Sequence, residues 1–138
     1  MVWHQEVVEI ATPRAGLFDV TSRVAAVAER AGVRVGLVSV FLQHTSASLV
    51  VQENADPAVL RDLESFFAHL VPETRHYEHA DEGPDDMPAH VKTALSRTEQ
   101  TLPLRDGRLA LGTWQALYVW EHRARPHQRR LVVTVWGE

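Results

Sequence analysis

The chain has 138 residues, of which 45% are hydrophobic and 23% charged, as is typical of one globular domain and not of a disordered chain. Its 14 basic and 18 acidic residues give a net charge of -4, the opposite of the basic surface expected of a nucleic-acid-binding protein. Because cysteine is absent, disulfides and thiolate metal sites are excluded. The chain contains neither an apolar run long enough to span a bilayer nor a signal-peptide pattern, so we expect a cytoplasmic protein without membrane contact.

The first half of the chain predicts alternating strands and helices. A partial period of two predicts a strand over residues 3–10. Apolar residues at helical spacing predict a helix over 19–31 that ends at Gly32. The β-branched stretch 33–42 predicts a largely buried strand, and 49–52 a short further one.

The second half predicts two more helices and then strands only. Asp56 and Pro57 predict the start of a helix that continues to Pro72, and a third helix is predicted from residue 86 to before 101. Asp106-Gly107 is a turn signal, and we expect the strands 113–120 and 131–136 to form a final hairpin, with Glu121 and Arg129 paired across it. We expect the basic loop 123–130 between them to be solvated, the alternative being that its arginines bind an anion. Together these elements predict a single α+β domain over residues 1–138, with a mixed or antiparallel sheet and about three helices.

Three histidines are the first candidates for chemistry. His44 ends a buried strand, His79 lies in an acidic loop, and His90 follows eleven residues later at a helix start. If they converge, three neutral imidazoles would bind a divalent ion such as zinc. Their spacing matches no short metal motif, and the alternative is that each is a partly buried structural imidazole.

Two adjacent acids precede His90. The repulsion between the Asp85 and Asp86 carboxylates favours a raised pKa for one of them, as general acid-base chemistry requires. For Asp86 we favour the alternative role of a helix cap. That assignment leaves Asp85 as the preferred proton-transfer or ligand residue.

Further polar residues follow strands or precede helices. Thr45 and Ser46 come after His44, where hydroxyls and backbone amides suit a phosphate, although a Ser–His nucleophile lacks its usual GxSxG motif. Glu53 and Asn54 precede a helix, so they either bind a ligand or cap that helix. Gln115 lies in an apolar run, which favours a hydrogen bond to a ligand.

The sequence resembles the YjbQ-like family (UPF0047), small proteins also called secondary thiamine-phosphate synthases. The resemblance covers about residues 39–138. The matching segments are His-Thr-Ser-Ala-Ser at 44–48, Glu-Asn-Ala-Asp-Pro at 53–57, His79, Gly-Pro-Asp-Asp-Met-Pro-Ala-His at 83–90, and residues 107–115.

This resemblance implies an α+β sandwich that assembles as a homotrimer, with a site lined by neighbouring subunits. It also implies a weak thiamine-phosphate synthase activity, which joins hydroxymethylpyrimidine diphosphate to thiazole phosphate and releases diphosphate. The site residues it implies are the metal ligands His44, His79 and His90, the catalytic residues Asp85, Glu53 and His90, and the substrate-binding residues Thr45, Ser46, Asn54 and Gln115.

Two other functions fit the same residues. A three-histidine zinc site with an open position suits hydrolysis of a small substrate, because zinc lowers the pKa of bound water to near neutrality. A trimeric protein that binds a small molecule without turnover would use the same histidines and acids to hold its ligand.

Overall fold

Eight β-strands and three α-helices form the fold, and the structure, a computed structural model, describes residues 1–138. In chain order the elements are β1 (Val2–Thr12), β2 (Gly16–Asp19), α1 (Thr21–Ala31), β3 (Gly36–Leu42), β4 (Ala47–Glu53), α2 (Pro57–Leu70), α3 (Asp86–Leu95), β5 (Glu99–Arg105), β6 (Arg108–Leu109), β7 (Gln115–Glu121) and β8 (His127–Gly137). None of the helices has the length and apolar character needed to cross a membrane.

The strands form two sheets that share one hydrophobic core. The larger sheet has the order β1-β8-β3-β5-β6 and the smaller one the order β2-β7-β4. All strand pairs are antiparallel. The predicted α+β class is therefore confirmed. Of the two expected sheet types, mixed and antiparallel, the structure has the antiparallel type.

The core follows from the strict alternation of side chains along the strands. Leu131, Val133 and Val135 of β8 face inward and are fully buried. Helix α1 adds Val24 and Val27 to the same cluster. Because a buried Val or Leu side chain contributes about 1.5–3 kcal/mol, this cluster is the main source of stability.

Several sequence signals give the expected local structure. Gly32 ends α1 with a φ of +70°, a left-handed conformation that glycine adopts without strain. The Asp56 side chain accepts a hydrogen bond from the Ala58 amide at the start of α2. Asp106 and Gly107 both have positive φ and form the two-residue turn between β5 and β6. The short strand β2 was not predicted.

One face of the larger sheet and one side of α2 are exposed. Phe67 of α2 stacks on Trp120 of the smaller sheet at 4.6 Å between ring centroids, which places the helix on the outer side of that sheet. The outer face of the larger sheet carries Trp3, Val7 and Leu37, which are 69%, 50% and 38% exposed. We call the surface formed by these three residues the apolar outer face.

The predicted final hairpin is wrong, because β7 and β8 belong to different sheets. Glu121 and Arg129 do form an ion pair, with 2.7 Å between Arg129 Nε and Glu121 Oε1, but it joins the two sheets instead of two neighbouring strands. The connecting segment is not a solvated loop throughout. Arg123 and Arg129 are buried, at 6% and 3% exposure.

The carboxylate of Glu121 is fully buried and fully hydrogen-bonded. It accepts hydrogen bonds from Thr12 Oγ1, the Arg129 guanidinium and the Arg123 amide. Burial raises the pKa of Glu121, but the bonds from Arg129 and Thr12 outweigh burial and hold the pKa below its ordinary value. The group is therefore ionised at neutral pH.

We expect Glu121→Ala to lower the free energy of unfolding by about 3–5 kcal/mol, because it leaves the Arg129 charge buried without a partner. Urea denaturation measures this loss. Glu6→Ala is the matched control, since it breaks the exposed Glu6–Arg30 pair, and exposed pairs contribute little. Equal losses in the two variants would contradict a structural role for the buried pair.

Candidate metal and substrate site

His79, Asp86 and His90 bring one ligand atom each to within 4.8 Å of one another. Asp86 is the first residue of α3 and His90 lies one turn later, so both face the same side of the helix. His79 comes from the preceding loop. Its Nε2 lies 2.7 Å from Asp86 Oδ2, and His90 Nε2 lies 3.3 Å from the same oxygen. We call these three residues the His79–Asp86–His90 cluster.

The backbone determines which nitrogen of His90 is free. His90 Nδ1 lies 2.9 Å from the carbonyl oxygen of Thr45. Because a carbonyl only accepts hydrogen bonds, Nδ1 carries a proton, and Nε2 is the nitrogen that faces Asp86. Metal-binding histidines are commonly oriented in this way.

Asp86 is buried, at 2% exposure. Burial raises its pKa, but the hydrogen bond to His79 and the neighbouring Arg123 guanidinium outweigh burial and hold the pKa below its ordinary value. Arg123 Nη1 donates to Asp86 Oδ1 at 2.7 Å. The carboxylate therefore offers its other oxygen, Oδ2, to the two histidines.

The structure gives both adjacent acids contacts that the sequence did not predict. Asp85 is the residue with structural contacts, since its Oδ2 accepts from the Ala124 amide at 2.8 Å and from Arg123 Nε at 3.2 Å. Asp86 is not the helix cap, because α3 begins at Asp86 and its side chain bonds His79 and Arg123 instead.

His44 lies outside the cluster. Its Nε2 accepts a hydrogen bond from the Arg130 amide at 2.8 Å, so this nitrogen has no free lone pair. Burial, together with the Arg129 charge, lowers the pKa of His44. In this arrangement His44 is a neutral imidazole with only its Nδ1–H available.

His44 and His90 share an open cleft of about 680 Å³ between β3 and α3. Thr45 and further hydroxyl side chains line the same cleft, which contains no lysine or arginine. Ser46 does not line it: this residue is buried, and its Oγ accepts a hydrogen bond from Arg129. The cleft lining therefore combines hydroxyl and apolar side chains, and it contains no lysine, arginine, aspartate or glutamate.

The remaining predicted residues lie at the other end of β4. Glu53 and Gln115 face each other in the β4–β7 pairing, and Asn54 Nδ2 donates to the carbonyl oxygens of Thr113 and Gln115. The seven residues of β4 span about 20 Å. Within one chain, Glu53, Asn54 and Gln115 are thus separated from the cluster.

The sequence did not indicate two features of the site. Arg123 contacts Asp85 and Asp86 from 38 and 37 residues away, and no local pattern predicts that contact. Ser48 Oγ lies 2.8 Å from His122 Nε2, and both side chains are buried. Burial lowers the pKa of His122 to about 3, so this pair is neutral and inaccessible to a substrate.

The fold and the cluster define an α+β sandwich with two histidines and a buried aspartate beside an open cleft. The family model described as UPF0047 protein YjbQ-like matches residues 6–138. The chain belongs to this family.

Individual relatives agree with the family match. A UPF0047 protein of Synechocystis sp. is 55% identical over 98% of this chain and 92% of its own length. The UPF0047 protein YjbQ of Escherichia coli O157:H7 is 41% identical over 99% of this chain and all of its own length. The crystal structure of a conserved hypothetical protein from Thermus thermophilus superposes with a TM-score of 0.83 at 35% identity, covering 93% of this chain and 97% of that one.

Proposed function

We propose that this protein is a metal-dependent transferase of the thiamine-phosphate synthase type. The observation that carries the proposal is the His79–Asp86–His90 cluster beside the cleft of His44 and Thr45. The reaction would join hydroxymethylpyrimidine diphosphate to thiazole phosphate, with diphosphate as the leaving group. The family resemblance supports this choice of substrates.

The donor set of the cluster fits a divalent ion. Two imidazoles and one carboxylate are ligands that zinc and other transition metals accept. Asp86 is held ionised and His90 has its tautomer set by Thr45, so both ligands are in the form that binds metal. A divalent ion there would supply charge neutralisation for the departing diphosphate.

The residues around the cluster would bind and orient the substrates. The Nδ1–H of His44 is a hydrogen-bond donor for an oxygen atom in the cleft, and the hydroxyl of Thr45 is a second candidate donor. Asp85 and Glu53 remain the proposed acids for proton transfer. Of the two, Asp85 lies beside Arg123 and the cluster, whereas Glu53 belongs to the distant group.

A metal-dependent hydrolase of a small substrate is the second candidate. The absence of lysine and arginine from the cleft lining favours it, since a diphosphate is commonly bound by such side chains. A binding protein without turnover would use the same cleft.

We also propose that the protein assembles as a homotrimer. The exposed Trp3, Val7 and Leu37 form an apolar outer face of the kind that marks an interface between proteins. A second copy would also give Glu53, Asn54 and Gln115 a way to reach a neighbouring cluster, which they do not reach within their own chain.

Metal analysis tests the ligand set. We expect about one equivalent of zinc or another divalent ion per chain in the wild type, lost in His79→Ala and His90→Ala because each removes a ligand. His69→Ala is the matched control, since His69 is exposed on α2. His44→Ala separates the two ligand sets: retention of the ion supports the cluster, and its loss supports the three-histidine set implied by the family resemblance.

Product formation from both half-substrates tests the transferase. We expect Asp86→Asn and His90→Ala to abolish thiamine phosphate formation while the proteins stay folded, with Glu78→Gln, an exposed acid of the same loop, as control. Asp85→Asn and Glu53→Gln test the two proposed acids. Turnover that persists in both Asp86→Asn and His90→Ala would contradict the proposal.

Two other outcomes of the same assay identify the alternatives. Metal-dependent release of phosphate or an acyl group from a model ester without a second substrate would indicate the hydrolase. No product in either assay, together with a rise in Tm that saturates with ligand concentration, would indicate a binding protein.

Analytical ultracentrifugation tests the trimer. We expect Leu37→Glu to shift the wild-type trimer to monomers, because it places a charge in the apolar outer face. Leu95→Glu is the matched control, since Leu95 is exposed at the end of α3 and does not belong to the larger sheet. A trimeric Leu37→Glu protein or a monomeric wild type would contradict this interface.

A further inference from the structure

Arg123 makes three directed hydrogen bonds next to the His79–Asp86–His90 cluster. Its side chain is 7% exposed. Nη1 donates to Asp86 Oδ1 at 2.7 Å, Nε to Asp85 Oδ2 at 3.2 Å, and Nη2 to the Glu82 carbonyl at 2.9 Å. Because all three nitrogens are engaged, the planar guanidinium is held in one orientation.

The orientation of Arg123 decides which oxygen of Asp86 faces the histidines. With Oδ1 bonded to Arg123, Oδ2 is left 2.7 Å from His79 Nε2 and 3.3 Å from His90 Nε2. We propose that Arg123 is a positioning residue, which turns the Asp86 carboxylate so that a single oxygen completes the metal-ligand set. This inference rests on the metal site proposed above.

Arg123 is itself held by the buried ion pair between the sheets. Its amide donates to Glu121 Oε2 at 3.1 Å, and Glu121 is paired with Arg129. The next amide, that of Ala124, donates to Asp85. These hydrogen bonds therefore hold the backbone after β7 against the start of α3.

A purely electrostatic role for Arg123 predicts the opposite effect on metal affinity. Removing its positive charge makes the site more negative, which by itself strengthens the binding of a divalent cation. Loss of positioning weakens binding instead, and changes to groups that orient metal ligands typically cost about 10–100-fold in affinity. The sign of the change separates the two roles.

The experiment measures zinc affinity by chelator competition in the full chain. We expect Arg123→Met to bind zinc about 10–100-fold more weakly than the wild type, and Arg123→Lys to be weakened as well, because lysine keeps the charge but not the three-way geometry. Arg125→Met is the matched control from the same segment, with an exposed side chain, and should bind like the wild type. Unchanged or tighter binding by Arg123→Met and Arg123→Lys would overturn the inference.

Two further measurements keep the test decisive. If Arg123→Met fails to fold, Arg123→Gln replaces it, because glutamine also removes the charge and cannot make the three hydrogen bonds; we expect weaker zinc binding, and unchanged or tighter binding would overturn the inference. In Co²⁺-substituted Arg123→Lys, we expect the visible absorption to shift as the carboxylate ligand reorients, and an unchanged spectrum counts against positioning.

A wild type that binds no metal overturns the proposed function together with this inference, whereas wild-type binding with unaffected Arg123 variants overturns the inference alone.

Discussion

A buried ion pair between Glu121 and Arg129 holds the two sheets together at the end where the site lies. Glu121 is the last residue of β7 and Arg129 belongs to β8, in the other sheet. Two buried charges carry a large desolvation cost, which is offset only when hydrogen bonds satisfy them. Here Thr12 and Ser46 bond the pair from β1 and from the loop before β4, and every buried side-chain polar atom of the chain has a partner.

The same pair sets the position of the site. Through the Arg123 amide it holds the segment after β7, and through the Arg123 guanidinium that segment holds Asp85 and Asp86 at the start of α3. The Ser46 carbonyl, bonded to Arg129 and to the His122 amide, holds the loop whose Thr45 carbonyl orients His90. The ion pair that joins the two sheets therefore also restricts the positions of Asp86 and His90, two of the three proposed metal ligands.

Local signals in the sequence were sufficient for the helices and for one turn, and insufficient for contacts between distant segments. The helix ending at Gly32 and the turn at Asp106-Gly107 follow from backbone preferences of single residues. The final hairpin was wrong because neighbouring strands usually pair, whereas β8 pairs with β1 and β3, which lie far from it in the sequence. For the same reason the contacts of Asp85 and Asp86 were not predicted: nothing within the helix start reveals that both acids meet a guanidinium 38 and 37 residues later.

The proposed ligand set has the Asp86 carboxylate where the family resemblance implies the His44 imidazole. This difference changes the electrostatics of the proposed site. The charges of Asp85 and Arg123 offset each other, so the charge of a bound divalent ion is reduced by Asp86 and by the Glu82 carboxylate, whose Oε2 lies 3.8 Å from His79 Nε2. The cleft adds no compensating cation, because its lining has no lysine or arginine and the lowered pKa of His44 keeps that imidazole neutral. Attraction of a diphosphate would then depend on the ion and on cationic groups brought by another copy of the chain. An uncharged ester needs the ion to activate water but no further cationic groups, and in this way the oligomeric state bears directly on the choice between transferase and hydrolase.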